Sequence, residues 1–191
     1  MKLSKNWKHK VTSLAVLATV SLCGIGEGVS ALAANSPTAG DIVKVPDTIT
    51  SNVFYVDQSI GCISKITAGT SVDALWANLA EKDYVAFFDK DGNSINGSAV
   101  LGTGMTATIM DEGTEVKRYS IVVTGDTNGD GKINITDMIA VKACTLKKSG
   151  LSGVYEKAGD VNGDGKINIT DFIKVKATTL KKDTITGVEV K

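Results

Sequence analysis

The sequence is poor in the residues that most catalytic and metal chemistry draws on. Its 191 residues hold one histidine, three cysteines and two prolines, and 5% are aromatic. The one histidine, His9, sits in a stretch laid out like a secretory leader. Lys2, Lys5, Lys8 and Lys10 make a charged start, residues 11–20 an apolar run, and "ALAA" at 31–34 a small-residue cleavage site. The apolar run is too short for a membrane span. Leu22 is bulkier than a lipid-modified Cys23 accepts before it, so the expectation is a signal peptide over residues 1–34 and an extracellular protein. A chain cut there keeps no histidine, which excludes Ser–His and Cys–His nucleophile systems and His-ligated zinc. The formal charge of the whole chain is zero, and after the cut 17 basic and 20 acidic residues remain. Nothing in that balance points to nucleic acid.

Two cysteines, Cys62 and Cys144, survive the cut. A secreted pair could close one disulfide; the favoured reading is two separate thiols packed as small apolar residues. Their spacing matches no metal motif.

Both prolines fall in residues 35–50, which read as a linker. Residues 51–124 read as a small β-rich module, either an Ig-like sandwich or α+β. Short β-prone runs occur at 52–56, 62–66, 84–88, 105–110 and 117–124, with turn signals at Asp91-Gly92, Asn96-Gly97 and Glu112-Gly113. One helix is expected to start at Thr70 as N-cap, with Val72, Leu75, Trp76 and Leu79 as its apolar stripe.

The composition then changes. Residues 125–137 read GDTNGDGKINITD, and residues 159–171 read GDVNGDGKINITD. Aligning 125–148 with 159–182, 20 of 24 positions are identical, which makes this an internal duplication. Each loop has the form D-x-N-x-D-G-K-x-N-x-x-D, with oxygen-bearing side chains at positions 1, 3, 5, 9 and 12 and glycine at 6. That is the oxygen-ligand spacing of an EF-hand calcium loop. Asp126, Asn128 and Asp130 are the expected side-chain ligands of the first loop. Lys132 is expected to give its carbonyl, Asn134 to bind directly or through water, and Asp137 to close the site. The same roles fall to Asp160, Asn162, Asp164, Lys166, Asn168 and Asp171 in the second, so two Ca2+ ions are expected.

Two departures from the EF-hand stand out. Position 12 is aspartate, and neither loop has an evident entering helix, so each unit reads as a loop plus an exiting helix. Two such units should pack together around Ile133, Ile139, Leu146, Ile167, Ile173 and Leu180. Six carboxylates in two small loops repel one another without metal, so folding should depend on calcium.

A duplicated loop and helix with aspartate at position 12, spread over residues 125–183, resembles a type I dockerin. The resemblance implies an all-α, EF-hand-like fold behind the β-rich module, giving an α+β two-module secreted protein with a short tail at 184–191. It implies calcium-dependent binding to a cohesin module of a scaffoldin, within cellulosome-like complexes that degrade polysaccharides outside the cell. In the family, contact centres on loop positions 10 and 11 and the following helix. On this chain those are Ile135, Thr136, Lys142, Ala143 and Lys147, then Ile169, Thr170, Lys176, Ala177 and Lys181. All five are identical between repeats, which predicts a near two-fold surface with two alternative binding modes. The β-rich module resembles, more weakly, small modules found upstream of bacterial dockerins.

No carboxylate pair outside the loops sits in a motif that would hydrolyse a glycoside, so a small glycoside-active enzyme is the weakest reading. Asp89–Asn93 reads as a hairpin turn and not as a calcium loop. Phe54, Tyr55, Trp76, Tyr84, Phe87 and Phe88 could form a sugar-stacking platform in a carbohydrate-binding accessory protein, although their setting reads as core. The favoured reading is a non-catalytic adaptor whose residues 51–124 prop the dockerin or bind another protein, with polysaccharide as their partner in the alternative.

Overall fold

The computed structural model describes residues 44–187. Residues 1–43 and the last four residues lie outside the described residues, and with them the expected signal peptide, its expected cleavage site and Cys23. From Pro46 onward the described chain packs as one unit.

Six strands make one mixed sheet in the order β1-β2-β6-β5-β3-β4, where β1 is Tyr55–Asp57, β2 Cys62–Ile66, β3 Val85–Phe88, β4 Ser94–Ile95, β5 Thr106–Asp111 and β6 Thr114–Val123. β2 and β6 run parallel and every other pair antiparallel. A single sheet with a helix between β2 and β3 is the α+β alternative; no second sheet exists among the described residues. The sequence pattern misses β4, whose two residues are too few to show an alternation.

The central strands are covered on both faces. Tyr119, Ile121, Val122 and Val123 are consecutive or nearly so along β6, and all are buried. Neighbouring residues of a strand point to opposite faces, so neither face of β6 meets water here. Val122 and Cys62 lie on one face and pack with Ala158 and Val154. Ile63 pairs with Ile121 on the other. Both cysteines are free thiols, so the disulfide alternative is not what the fold contains.

Helix α1, Val72–Trp76, is five residues long and is capped by Ser71, whose side chain accepts from the Ala74 N–H. Thr70 is not the N-cap; its hydroxyl donates to the Thr67 carbonyl at 2.7 Å. The shift by one residue follows from hydrogen-bond supply, since Thr70 is already bonded backwards. The expected apolar stripe still turns inward at Val72, Leu75 and Leu79, all buried.

Three helices follow the sheet: α2 Ile135–Thr145, α3 Val154–Gly159 and α4 Ile169–Thr179. α3 corrects the expectation that neither loop has an entering helix. Six residues are too few to hold a helix alone. This one is held because Gly153 turns the chain at φ 59 and Ala158 lands on Cys62 and Val122.

α2 and α4 pack around Val141, Val175 and Ile185, flanked by Ile133, Met138, Val161, Ile167 and Phe172. Ile133 and Ile167 therefore reach the core as expected. Ile139, Leu146, Ile173 and Leu180 do not; all four are exposed. The inward face is set by Asp137 and Asp171, which close over the loops, and residues four further on follow them inward. Ile185 comes from the stretch read as a tail, and Gly187 N–H donates to Thr67 Oγ1 at 2.9 Å.

Candidate metal centre and helix face

Each acidic loop is wound by two carboxylates. Asp126 Oδ1 accepts from the N–H groups of Gly129 and Asp130 at 2.7 and 3.1 Å, and Oδ2 from Gly131 at 3.0 Å. Asp160 repeats this with Gly163, Asp164 and Gly165. Gly131 and Gly165 hold φ of 77 and 84, the left-handed bend that the sixth position requires.

Asp137 ties the loop end to its beginning. Its Oδ1 accepts from Thr127 N–H at 2.9 Å and Asn128 N–H at 3.3 Å, and its Oδ2 from Asn134 N–H at 3.0 Å. Asn134 in turn is the N-cap of α2, accepting from Thr136 N–H at 2.8 Å, so Asn134 and Asp137 form a reciprocal capping box. Asn168 and Asp171 do the same for α4. The calcium-loop spacing did not single out this capping role. Its signal was present nonetheless, as an asparagine with an acid three residues later.

The remaining oxygen bearers gather at one point. Asn128 and Asn134 both direct Nδ2 at Asp130 Oδ2, at 3.1 and 3.0 Å. In the second loop Asn162 and Asn168 direct theirs at Asp164 Oδ2, at 3.1 and 3.0 Å. An amide presents oxygen in place of nitrogen by a half turn of its end. The same three side chains can thus offer three oxygens to one hard cation. Among the described residues no set of three or more His, Cys, Asp or Glu side chains is drawn together as a metal cluster. The acids are turned instead onto loop amides.

Charge supports the fit. Asp126 and Asp137 are fully buried, and the partners they hold are neutral N–H and hydroxyl groups. Burial pushes the Asp137 carboxyl above its ordinary range, against the hydrogen bonds from Asn134 and Thr127, and the Asp126 charge adds to the rise. Two buried acids without a cation are costly, and a dication between them removes that cost. Asp130 is held below its ordinary range: its partial burial is outweighed by the Lys132 N–H and the two asparagine amides. The exposed Asp164 is lowered chiefly by Asn162. Lys132 and Lys166 each donate an N–H to the acid two residues before, at 2.9 Å.

The expected contact residues lie outward. Ile135, Thr136, Lys142 and Lys147 are exposed and Ala143 half-buried; Ile169, Thr170, Lys176, Lys181 and Ala177 match them one for one. The residues expected in the core extend this face. Ile135, Ile139, Lys142 and Leu146 recur at the helical period and form one outer stripe of α2. Exposures of Ile135, Ile139 and Leu146 are 54, 57 and 52%, and those of Ile169, Ile173 and Leu180 on α4 are 56, 58 and 54%. Each stripe ends on a lysine in left-handed backbone, Lys147 and Lys181, both at φ 55. Lys148 N–H reaches the Ala143 carbonyl and Lys147 N–H the Cys144 carbonyl, both at 2.9 Å, which is a Schellman end with lysine where glycine is usual.

The other candidates do not assemble. Phe87 and Phe88 are buried, while Tyr55 is exposed on the edge strand, so the six aromatics form no shared platform. Trp76 donates Nε1–H to the Lys82 carbonyl at 2.9 Å. The segment from Asp89 to Asn93 is a turn between β3 and β4, tied by Asp89 Oδ1 to the Asp91 and Asn93 N–H groups.

Two calcium-type loops, each closed by the cap of an exiting helix and packed on a shared core, define a duplicated loop–helix domain. Residues 124–179, under a third of the chain, match the family model of the dockerin type I domain. Such a domain is a non-catalytic, calcium-binding, cohesin-binding element of cellulosome-type assemblies. No curated protein and no solved structure matches the chain. No helix among the described residues is long and apolar enough to cross a membrane.

Proposed function

We propose that this chain is a secreted, non-catalytic component of an extracellular polysaccharide-degrading complex, fixed to a scaffoldin through its dockerin. Two Ca2+ ions bind, one per loop: the first through Asp126, Asn128, Asp130, Lys132, Asn134 and Asp137, the second through Asp160, Asn162, Asp164, Lys166, Asn168 and Asp171. The cohesin sits on an outer helix stripe, on Ile135, Thr136, Lys142, Ala143 and Lys147 or on their equivalents in the second repeat. Ile139 and Leu146, with Ile173 and Leu180, belong to the same surface. The sheet serves as an adaptor that props the dockerin or meets a further partner.

The observation that carries this reading is the paired exposure of three large apolar residues on each of two helices. Exposed aliphatic residues scattered singly mean nothing. Six of them in two matching rows, next to lysines, are a surface built to be covered. The test uses residues 35–191 against a panel of cohesins in calcium and then in EDTA. Binding that EDTA abolishes is expected; calcium uptake with no cohesin bound at all would defeat the partner assignment.

A further inference from the structure

The two loops are nearly the same sequence in different surroundings. In the first, Asp126, Thr127, Gly129 and Gly131 are buried. In the second, Asp160 is half-buried and residues 162–166 are exposed. What covers the first loop is the sheet half of the chain. Thr103 N–H donates to Asp126 Oδ2 at 3.0 Å, Gly69 N–H to the Gly131 carbonyl at 3.2 Å, and Lys90 Nζ to the Asn128 carbonyl at 3.2 Å. Thr103 is itself anchored, its hydroxyl donating to the Val123 carbonyl and accepting the Val123 N–H at the end of β6.

The approach is as close as backbone allows. A Cβ on Gly129 would lie 2.3 Å from the Thr103 carbonyl oxygen, one on Gly131 2.7 Å from that of Leu101, and one on Gly102 2.5 Å from that of Gly129. Gly163 and Gly165 occupy the same loop positions in the second copy, and a Cβ there meets nothing within 4 Å. Asp160 Oδ2 accepts from Gly165 N–H and has no counterpart to the Thr103 donor.

The geometry points to two unequal calcium sites: residues 101–105 of the sheet form the outer wall of the first, and the second is open. This rests on the calcium reading above. The wall fixes the Asp126 carboxylate and the backbone of Gly129 and Gly131 before the ion arrives, and it holds them in place while the ion is bound. The first ion is therefore bound more tightly and released more slowly than the second. Thr103, Gly102 and Lys90 act through Asp126 and the loop backbone and are positioning residues; none of them lies in the duplicated sequence.

The test is calcium release from the loaded full chain after rapid mixing with a fluorescent chelator. Two phases of equal amplitude are expected. The slow one should lag by about tenfold or more, the factor that one buried hydrogen bond is worth. Asp164→Ala should delete the fast phase and Asp130→Ala the slow one. Gly102→Ala, which alters no loop residue, should accelerate the slow phase by about tenfold and leave the fast phase within about twofold. Lys90→Ala removes an exposed side chain and should accelerate the slow phase by about threefold; it decides the matter if Gly102→Ala costs the sheet its near-UV dichroism. One phase carrying both ions, or a slow phase that neither variant alters in a folded protein, overturns the inference. A chain that takes up no calcium gives no amplitude, which overturns the calcium reading instead.

Discussion

Charging one helix face while sparing the other distinguishes a single docking surface from a duplicated one. Ile139 and Ile173 suit the purpose, because both lie outside the calcium loops and are more than half exposed. Replacing either with aspartate should change stability by no more than about 0.5 kcal/mol, as for other surface positions. Its effect on docking is larger. Fully burying an isoleucine is worth about 1.5–3 kcal/mol, and somewhat over half of Ile139 remains to be covered, giving about 1 kcal/mol. Forcing a carboxylate into that contact adds about 2 kcal/mol of unpaid desolvation. A face so altered loses about 3 kcal/mol, or roughly a hundredfold in affinity. If both faces can dock, Ile139→Asp alone removes one of two equivalent modes, a factor of about two or some 0.4 kcal/mol. Ile173→Asp alone does the same, and the double variant shows the hundredfold loss. Titration calorimetry against one cohesin in calcium, with thermal melts as control, reads all three. A hundredfold loss from either single variant refutes the two-face reasoning. An unchanged double variant places the docking surface elsewhere.

Chelation should destabilise the sheet as well as the helices, since Asp126 and Thr103 join them. At calcium a hundredfold above its dissociation constant, each site contributes about 2.7 kcal/mol; sheet and helix signals in a melt should both move down in EDTA, and a sheet transition that stays put would refute the coupling. Val175→Ala empties part of the fully buried core between α2 and α4, at a cost of about 2 kcal/mol and some 4–8 °C in Tm by calorimetry. Lys147→Gly should raise stability by about 1 kcal/mol by relieving left-handed backbone, while weakening docking on that face; a lower Tm would refute the strain argument. Burial pushes the Cys62 thiol above its ordinary range, so less thiolate forms at any given pH. A thiol reagent at pH 8 should therefore label the half-buried Cys144 well before Cys62, and equal rates would contradict the packing against Ala158.

The two duplicated loops were legible because their spacing is a covalent fact: which side chains can converge follows from residue count within one tight turn. The sheet's strands at 62–66 and 85–88 were legible for a similar local reason. The direction of the helices was not. α2 offers two apolar rows, one through Ile139 and Leu146 and one through Met138 and Val141, and bulk alone favours the wrong one. The row that wins starts from Asp137, whose carboxylate must turn inward to close the loop, and Val141 and Thr145 follow at steps of four. α3 was illegible because its helicity is borrowed from the sheet it rests on. The seating of residues 101–105 on the first loop was equally hidden, although Gly102 and Gly104 marked the segment as unusual. Glycine there serves an approach between backbones 27 residues apart, from Gly102 to Gly129, and no local pattern encodes such a partner.

The outermost strands of the sheet have a consequence for life at high density. β1 has three residues and β4 two, so neither edge offers a neighbour a useful row of free N–H and carbonyl groups. Sheets with long flat edges add strands from one another and aggregate. Crowded side by side, copies of this chain have little backbone with which to stick to each other. The two matching apolar rows lie instead on the outer stripes of α2 and α4, where side chains and not backbone meet whatever approaches.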